Sequence, residues 1–127
     1  MNILVTDDEF IIAQNIRMQL ERKGYNVSIG ITTFEEIIIA VKEGNFDLII
    51  TKINMYTESN GIDLVTEIRT FSSIPVIYLT SITDKKIRER AEKTSPCDYI
   101  IKPVDNEELC NRIEQCLKKA GVFQMHF

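Results

Sequence analysis

Short, continuously apolar runs alternate along the chain with longer stretches in which apolar residues recur every three or four positions. The short runs are rich in Ile, Val and Leu, which is typical of strands buried on both faces of a sheet. The longer stretches have the spacing of amphipathic helices. The pattern predicts strands at residues 3–6, 27–31, 48–51, 75–80 and 98–101, and helices at about 9–23, 33–44, 61–71, 84–94 and 105–120.

The predicted helices carry start and stop signals. Thr33 and Asp105 each precede a helical stretch and offer a side-chain oxygen to the free N–H groups of its first turn. Gly24 and Gly121 follow helical stretches, where glycine commonly ends a helix. The fourth helix, residues 84–94, has few apolar residues. We therefore expect it to be the least firmly docked of the five.

Five strands that alternate with five helices predict one architecture. The fold class is α/β, a (βα)5 doubly wound parallel five-stranded sheet with helices on both faces. We expect residues 1–120 to form this one domain and residues 121–127 to be a C-terminal tail or the start of a linker. In such sheets, ligands bind beyond the carboxyl ends of the strands. The residues that directly follow each apolar run are therefore the candidates for a functional site.

Polar residues follow four of the five predicted strands. They are Asp7 and Asp8 after the first strand, Lys52 after the third, Thr80 and Ser81 at the end of the fourth and Lys102 after the fifth. Because the strands are parallel, their carboxyl ends share one edge of the sheet. We expect these side chains to gather there.

Composition and charge narrow the class of function. The chain has 127 residues, of which 44% are hydrophobic and 27% charged, an ordinary composition for one soluble domain. A net charge of −4 argues against a nucleic-acid partner held by phosphate attraction. No apolar run approaches membrane-spanning length, and the acidic N-terminus is unlike a signal peptide. We expect a cytoplasmic protein with neither a nucleic-acid nor a membrane partner.

The cysteines and the histidine do not indicate a metal or catalytic site. Cys97, Cys110 and Cys116 are odd in number and lack metal-like spacing, so we expect buried or half-buried thiols in a reducing compartment. His126 is the only histidine and lies next to the C-terminal residue, which argues against catalysis by histidine.

Taken in order, five pieces of sequence resemble the receiver domain of two-component response regulators. They are "ILVTDDE", the strand end "DLIITKINM", the Gly61 that opens the next helix, "PVIYLTS" and "DYIIKP". The resemblance covers residues 2–120 and implies a flavodoxin-like topology. It also implies a signalling module rather than an enzyme. Its partner would be a histidine kinase or an output domain, and it could form a homodimer through the fourth helix, fifth strand and fifth helix.

The resemblance implies roles for individual residues. Asp7 and Asp8 match the acids that help to hold a divalent cation, and Asn54 matches the position that lends a backbone carbonyl to that cation. A second set matches the phosphate-binding and switch positions, and Lys102-Pro103 is commonly a cis peptide in the family. In that set, Thr80 is the hydroxyl, Lys102 the lysine and Tyr99 the aromatic residue that changes rotamer on signalling.

One position departs from the family pattern. Lys52 stands where receiver domains carry the aspartate that accepts a phosphoryl group. An ammonium has no acyl oxygen, and neither Thr51 nor Asn54 offers a carboxylate nucleophile. Nearby, Tyr56 replaces the usual proline, and the loop that leads to Gly61 looks about one residue longer than usual. The substitution predicts a domain that does not accept phosphate.

Charge balance suggests where the Lys52 side chain lies. Asp7 and Asp8 face Lys52 and Lys102, so the charges of the expected pocket sum to zero. We expect the Lys52 ammonium to take the place of the cation, bonded to Asp7 or Asp8, with Glu9 pointing elsewhere. Bound Mg²⁺ is then disfavoured and no cofactor is expected. The alternative is that Lys52 extends into solvent.

Three functions stay open. The first is a receiver-like interaction or regulatory module that cannot accept phosphate on Lys52. The second is a phosphoaccepting receiver whose natural residue 52 is aspartate, with lysine introduced by engineering. The third is a flavodoxin-like cofactor protein, which the acidic run Asp7-Asp8-Glu9 disfavours because it would repel a phosphate.

Overall fold

The computed structural model describes residues 1–29, 33–44, 46–54 and 60–121. Within these ranges, five strands alternate with five helices. The elements are β1 Asn2–Thr6, α1 Phe10–Glu21, β2 Asn26–Ser28, α2 Phe34–Glu43, β3 Leu48–Thr51, α3 Gly61–Ile68, β4 Val76–Thr80, α4 Lys85–Glu92, β5 Asp98–Ile101 and α5 Asn106–Lys119.

The strands form one parallel sheet in the order β2-β1-β3-β4-β5. The chain moves outward from β1 to β2 and then crosses back to β3 on the other side of β1. The strand order therefore reverses between β1 and β3, which is where doubly wound sheets bind ligands. Thr6 and Thr51 end these two strands and lie side by side in register. The predicted fold class is confirmed.

Two apolar cores cover the two faces of the sheet. One core packs α1 and α5 against the sheet, with Leu20, Ile113 and Leu117 fully buried. The other packs α2, α3 and α4 against the opposite face, with Leu64 and Ile68 fully buried. Because both faces are covered, every residue of β3 and β4 is buried. The strands consequently read as continuous apolar runs rather than as alternating ones.

The predicted helix starts have the expected hydrogen bonds. The Thr33 hydroxyl accepts the N–H of Glu36 at 3.1 Å, and the Asp105 carboxylate accepts the N–H of Glu108 at 2.8 Å. Asn60 caps α3 in the same way, and this cap was not predicted. In α4 only Ala91 is buried, which agrees with the prediction of a lightly docked helix.

Some predictions needed correction and others lie outside the described residues. Strand β2 ends at Ser28, so it is shorter than predicted, and Pro75 precedes β4 rather than starting it. Three predicted features lie wholly or partly outside the described residues: Tyr56, residues 30–31 of the second predicted strand, and residues 122–127 of the predicted tail 121–127, which include His126. Among the helices that are described, none combines the length and the apolar character needed to cross a bilayer.

The prediction of three thiols is wrong for two of the cysteines. Cys97 and Cys116 form a disulfide, with their Cα atoms 5.8 Å apart. Cys110 is a free, buried thiol, as predicted. Cys97 precedes β5 and Cys116 lies in α5, so the pair forms only because α5 packs against this strand. Spacing along the sequence does not indicate such packing.

Candidate functional site

Two threonines fix the strand ends at the reversal point of the sheet. The Thr6 hydroxyl donates to Oγ1 of Thr51 at 2.7 Å, and both residues are buried. The Thr51 hydroxyl in turn donates to the carbonyl oxygen of Lys52 at 3.0 Å. This chain of hydrogen bonds holds the backbone of Lys52 beside the end of β1. It also satisfies the two hydroxyls away from water.

Asp7 leaves the end of β1 and turns back on its own chain. One carboxylate oxygen accepts the backbone N–H of Glu9 at 2.8 Å. Partial burial raises the pKa of this carboxyl above its ordinary value, although the hydrogen bond and the charges of Lys52 and Lys102 oppose the shift. The charge of Asp7 therefore interacts with those of Lys52 and Lys102 at this edge of the sheet, as the sequence predicted.

The Lys52 ammonium lies between two carboxylates. Its Nζ atom is 2.8 Å from Oε1 of Glu9 and 3.2 Å from Oδ1 of Asp8, and the side chain is 20% exposed. Burial acts to lower the pKa of Lys52, but the hydrogen bonds that Lys52 donates to Glu9 and Asp8 and the charge of Asp7 outweigh it and raise the pKa. Lys52 is thus an ammonium at neutral pH, not a free amine.

These contacts confirm one part of the predicted ion pair and correct another. A bond from Lys52 to Asp7 or Asp8 was predicted, and Asp8 makes it. The prediction that Glu9 points elsewhere is wrong, because Glu9 makes the shorter contact. The arrangement also differs from the alternative in which Lys52 extends into solvent. With Glu9 included, three carboxylates meet Lys52 and Lys102, which leaves one net negative charge.

The acidic cluster has the ligand chemistry of a cation site. Each of Asp7, Asp8 and Glu9 offers a carboxylate oxygen, and these oxygens lie within 4.8 Å of one another. Hard divalent cations bind such oxygens. However, the Lys52 ammonium already bonds two of the three carboxylates. The residues present therefore do not fit Mg²⁺ while Lys52 keeps this position. Asn54, two residues after Lys52 in the sequence, is exposed.

Thr80 and Tyr99, two other predicted site residues, both form hydrogen bonds with the backbone of Ile82. The Thr80 hydroxyl accepts the N–H of Ile82 at 3.1 Å, and the Tyr99 hydroxyl donates to the carbonyl oxygen of Ile82 at 3.0 Å. Thr80 and Tyr99 are both buried. They therefore hold the segment between β4 and α4 from two sides. The guanidinium of Arg88 lies 4.9 Å from the centre of the Tyr99 ring and ties α4 to the same place.

Lys102 is held next to Thr80 by the backbone. Its N–H donates to the carbonyl oxygen of Thr80 at 2.8 Å, and the Lys102-Pro103 peptide is cis, as the resemblance implied. Its side chain acts on the pKa of Asp7 through charge. Among the described residues, Lys102 makes no ion pair within 4.0 Å. The four strand ends thus bring Asp7, Lys52, Thr80 and Lys102 to one edge.

A family model described as "Response regulator receiver domain" matches residues 3–114. The chain belongs to this family. The curated relatives include the transcriptional regulatory proteins ResD and YvrH of Bacillus subtilis, which are 33% and 34% identical over 119 residues. Each match covers 94% of this chain but only 49% and 50% of the relative, so the chain spans about half of their length.

Solved receiver domains have the same fold. A response regulator receiver domain protein from Clostridium thermocellum superimposes with a TM-score of 0.84 at 30% identity, covering 95% of this chain and 97% of the other. A two-component response regulator from Clostridium difficile gives 0.85 at 27% identity, with 94% and 98% covered. Receiver domains are signalling modules that interact with histidine kinases and output domains.

Gly61 lets α3 of this receiver domain approach the site. A Cβ atom on Gly61 would overlap the carbonyl oxygen of Lys52 and come 3.1 Å from Oγ1 of Thr51. The N–H of Gly61 also donates to the carbonyl oxygen of Ile53 at 2.7 Å. The sequence marked Gly61 as the start of a helix. Only the structure shows that it packs on the backbone that carries Lys52.

The receiver domain also exposes apolar side chains beside the site. On α1, Phe10 is 65% exposed, Ile11 83% and Met18 48%. These residues border a groove of about 810 Å³ that reaches Ser81 and Lys102. The helical spacing of residues 9–23 predicts one buried face and does not indicate this exposed apolar surface.

Three other residues of the site were not assigned to it from the sequence. Glu9 had a detectable signal, because it directly follows the acidic pair. Ile82 contributes only backbone atoms, so its side-chain type carries no signal. Arg88 lies in a helix of mixed charge, where a residue that stacks on Tyr99 looks like any other exposed arginine.

Proposed function

We propose that this receiver domain does not accept a phosphoryl group and works as a protein-interaction module in two-component signalling. The observation that supports the proposal is the Lys52 ammonium, bonded to Asp8 and Glu9. By the family resemblance, this is the position of the phosphoacceptor aspartate. A cationic side chain in this place leaves the domain in one charge state, which neither a kinase nor a phosphodonor can change.

Nucleophile chemistry supports this proposal. Attack on phosphorus needs a lone pair, and the raised pKa of Lys52 keeps its nitrogen protonated at neutral pH. The neighbouring Thr51 hydroxyl does not replace it, because it is buried and already bonded to Thr6 and to the Lys52 carbonyl. No described side chain at the end of β3 therefore offers an activated nucleophile.

Electrostatics supports a site that needs no metal ion. Three carboxylates at one strand end repel one another unless a cation lies among them. The Lys52 ammonium supplies that charge from within the chain. We propose that it replaces the divalent cation that the family resemblance implies at Asp7, Asp8 and Asn54.

Incubation with a small acyl phosphate and Mg²⁺, read by intact mass, tests the proposal. We expect no adduct on the wild-type chain. The matched variant is Lys52→Asp, which restores a carboxylate where Thr80 and Lys102 are already placed at the same edge. An unchanged mass for the wild-type chain, together with a phosphate adduct on Lys52→Asp, supports the assignment of position 52. A phosphate adduct on the wild type contradicts it.

The retained residues favour a second candidate. Asp7, Asp8, Thr80 and Lys102 all lie at the carboxyl edge of the sheet, where a phosphoaccepting receiver needs them. A receiver with aspartate at position 52 would therefore have most of its site in place. Rapid phosphorylation of Lys52→Asp favours this ancestry. If that variant stays unmodified, the loss of phosphate chemistry extends beyond Lys52.

We further propose that the partner contacts α4, β5 and α5, and that the module acts in the cytoplasm. The exposed residues of α4 are charged, and Arg88 links this helix to Tyr99 of β5. Light scattering coupled to gel filtration tests for a homodimer. If a dimer forms through this face, reversing the charge of exposed Lys86 should weaken it, whereas reversing Lys42 on α2 should not.

A further inference from the structure

A disulfide joins Cys97 to Cys116 and involves none of the residues of the candidate functional site. Cys97 lies immediately before β5, and Cys116 lies in the second half of α5. Their Cα atoms are 5.8 Å apart, a separation that a disulfide spans without backbone movement. The link closes a loop across 19 positions of sequence that contains all of β5 and the first part of α5.

A second link lies beside the disulfide. Arg112 and Asp98 form a two-pronged ion pair, with Nε 2.7 Å from Oδ2 and Nη2 2.6 Å from Oδ1. Asp98 follows Cys97 in the chain, and Arg112 precedes Cys116 by one helical turn. The same stretch of β5 is thus tied to the same face of α5 by one charged link and one covalent link.

The ion pair and the core keep the two cysteines in reach of each other without the covalent bond. The N–H of Cys97 donates to the carbonyl oxygen of Val76 at 2.7 Å, which fixes its backbone to β4. On α5, Ile113 and Leu117 are fully buried on either side of Cys116. We therefore expect both sulfurs to stay close enough to form the disulfide again after it is broken.

The three cysteines differ in accessibility. Cys97 is half-buried, whereas Cys116 is 3% exposed. We therefore expect an attacking thiol to react at Cys97 before Cys116. Cys110 is buried, and burial raises the pKa of its thiol, so little of the reactive thiolate is present. Exchange should pass through Cys97 and leave Cys110 unchanged.

We propose that Cys97 and Cys116 are a reversible redox pair, oxidised by exchange with a low-molecular-weight disulfide and reduced by the corresponding thiol. In the oxidising direction, the Cys97 thiolate attacks one sulfur of the small disulfide, and a mixed disulfide forms as one small thiol leaves. The Cys116 thiolate then attacks the Cys97 sulfur and expels the second small thiol. Two electrons pass to the small disulfide, and the two protons lost by the cysteines end on the released thiols.

The redox state sets how firmly the end of α5 is attached. The oxidised pair fixes the second half of α5 to the start of β5. The reduced pair leaves that attachment to the Arg112–Asp98 ion pair and to core packing. This device acts on α5 and does not depend on whether Lys52 accepts phosphate.

Equilibration of the wild-type chain in glutathione buffers of varied ratio, followed by alkylation and peptide mapping, tests the pair. We expect Cys97 and Cys116 to pass together from alkylated to linked as the oxidised fraction of glutathione rises. Cys110 should be alkylated only after denaturation. Two results overturn the proposal: a link that survives excess dithiothreitol while the domain stays folded, or two free thiols in excess oxidised glutathione.

Single variants test the order of attack. In Cys116→Ser, oxidised glutathione should accumulate as a mixed disulfide on Cys97, while Cys97→Ser should react far more slowly at Cys116. Cys110→Ser is the matched control, and it should keep the redox behaviour of the wild type. Oxidation should also raise the melting temperature of the wild-type chain by roughly 10 °C, because the closed loop restricts the unfolded chain. Equal reactivity of the two single variants, or no thermal shift, contradicts the assignment.

Discussion

The ammonium of Lys52 lies 2.8 Å from Glu9 and 3.2 Å from Asp8, and both acids lie within three residues of the end of β1. The side chains of Lys52 and Asp8 are only 20% and 24% exposed, so loss of this contact costs more than loss of one at an open surface, whereas Glu9 is 57% exposed and contributes less. The net charge of the edge therefore depends on a few side chains. At the residue scale, the clearest changes are those that remove the ammonium or move the backbone that carries it.

Lys52→Met keeps the length of the side chain and removes its charge. The three carboxylates, whose oxygens lie within 4.8 Å of one another, then repel without an internal cation. We expect the free energy of unfolding at pH 7 to fall by about 1–3 kcal/mol. Urea denaturation measures the change. The loss should shrink in acid, where the carboxyls are protonated, and an equal loss in exposed Lys86→Met would contradict this account.

Gly61→Ala places a Cβ atom against the carbonyl oxygen of Lys52. Either α3 or the end of β3 must then move, and we expect a loss of roughly 2–4 kcal/mol in the free energy of unfolding. Gly24→Ala is the matched control, since Gly24 has a φ of 93° but no atom within 4 Å of the added carbon. That variant should lose only about 1 kcal/mol from backbone strain. Similar losses in thermal or urea unfolding would contradict the overlap.

Helix α4 contributes little apolar surface, and polar contacts fix its two ends. Tyr99 and Thr80 hold the segment before it through Ile82, and the Tyr78 hydroxyl lies 2.7 Å from Oγ1 of Thr94 just after it. The sheet thus holds this element through tyrosines of β4 and β5. At the element scale, tyrosine ionisation should control how α4 stays docked.

Alkaline titration tests the anchor at Tyr78. Burial raises the pKa of Tyr78 to about 12, against the Thr94 hydrogen bond and the charge of Arg69, which lower it. The raised value means that its contribution to stability is fully present below about pH 10 and is lost as the pH rises through 12. Between neutral and strongly alkaline pH, we expect the free energy of unfolding to fall less in Tyr78→Phe than in the wild type, by roughly 2–3 kcal/mol.

Urea denaturation between neutral and strongly alkaline pH measures this difference. Tyr25→Phe is the comparison variant, because Tyr25 lies outside the α4 anchor and is only half-buried. Its pKa is also raised by burial, so it should remove a smaller part of the loss. An unchanged alkaline profile in Tyr78→Phe would contradict the role of this tyrosine.

At the scale of the whole molecule, the domain should be stable without a divalent cation. A ligand that binds only the folded state raises stability as its concentration exceeds its dissociation constant. We expect millimolar Mg²⁺ to leave the melting temperature of the wild type unchanged, because Lys52 already neutralises the acids. In Lys52→Asp, the same Mg²⁺ should raise the melting temperature by several degrees.

Calorimetric titration with Mg²⁺ gives an independent measure of the same prediction. Potassium chloride at matched ionic strength is the control for general screening. Saturable binding by the wild type at millimolar or lower concentration, with a matching thermal shift, would show that the ammonium leaves the site.

The order of the elements, the doubly wound sheet and the edge that carries the site could all be predicted from sequence. These features follow from local periodicity and from the geometry of parallel strands, which bring all carboxyl ends to one side. Asp7, Lys52, Thr80 and Lys102 were found by that rule. Glu9 was misassigned, because sequence position did not tell which way its side chain turns after β1.

Local periodicity was enough to locate the strands, the helices and the polar groups that follow the strands, because burial on both sheet faces produces continuous apolar runs. Which side chains pair with one another depends instead on three-dimensional packing. Lys52 meets Glu9 across 43 positions, and Cys97 meets Cys116 across 19. Such pairs depend on rotamers and on how crossover elements pack, so distances of a few ångströms between remote residues cannot be obtained from local pattern.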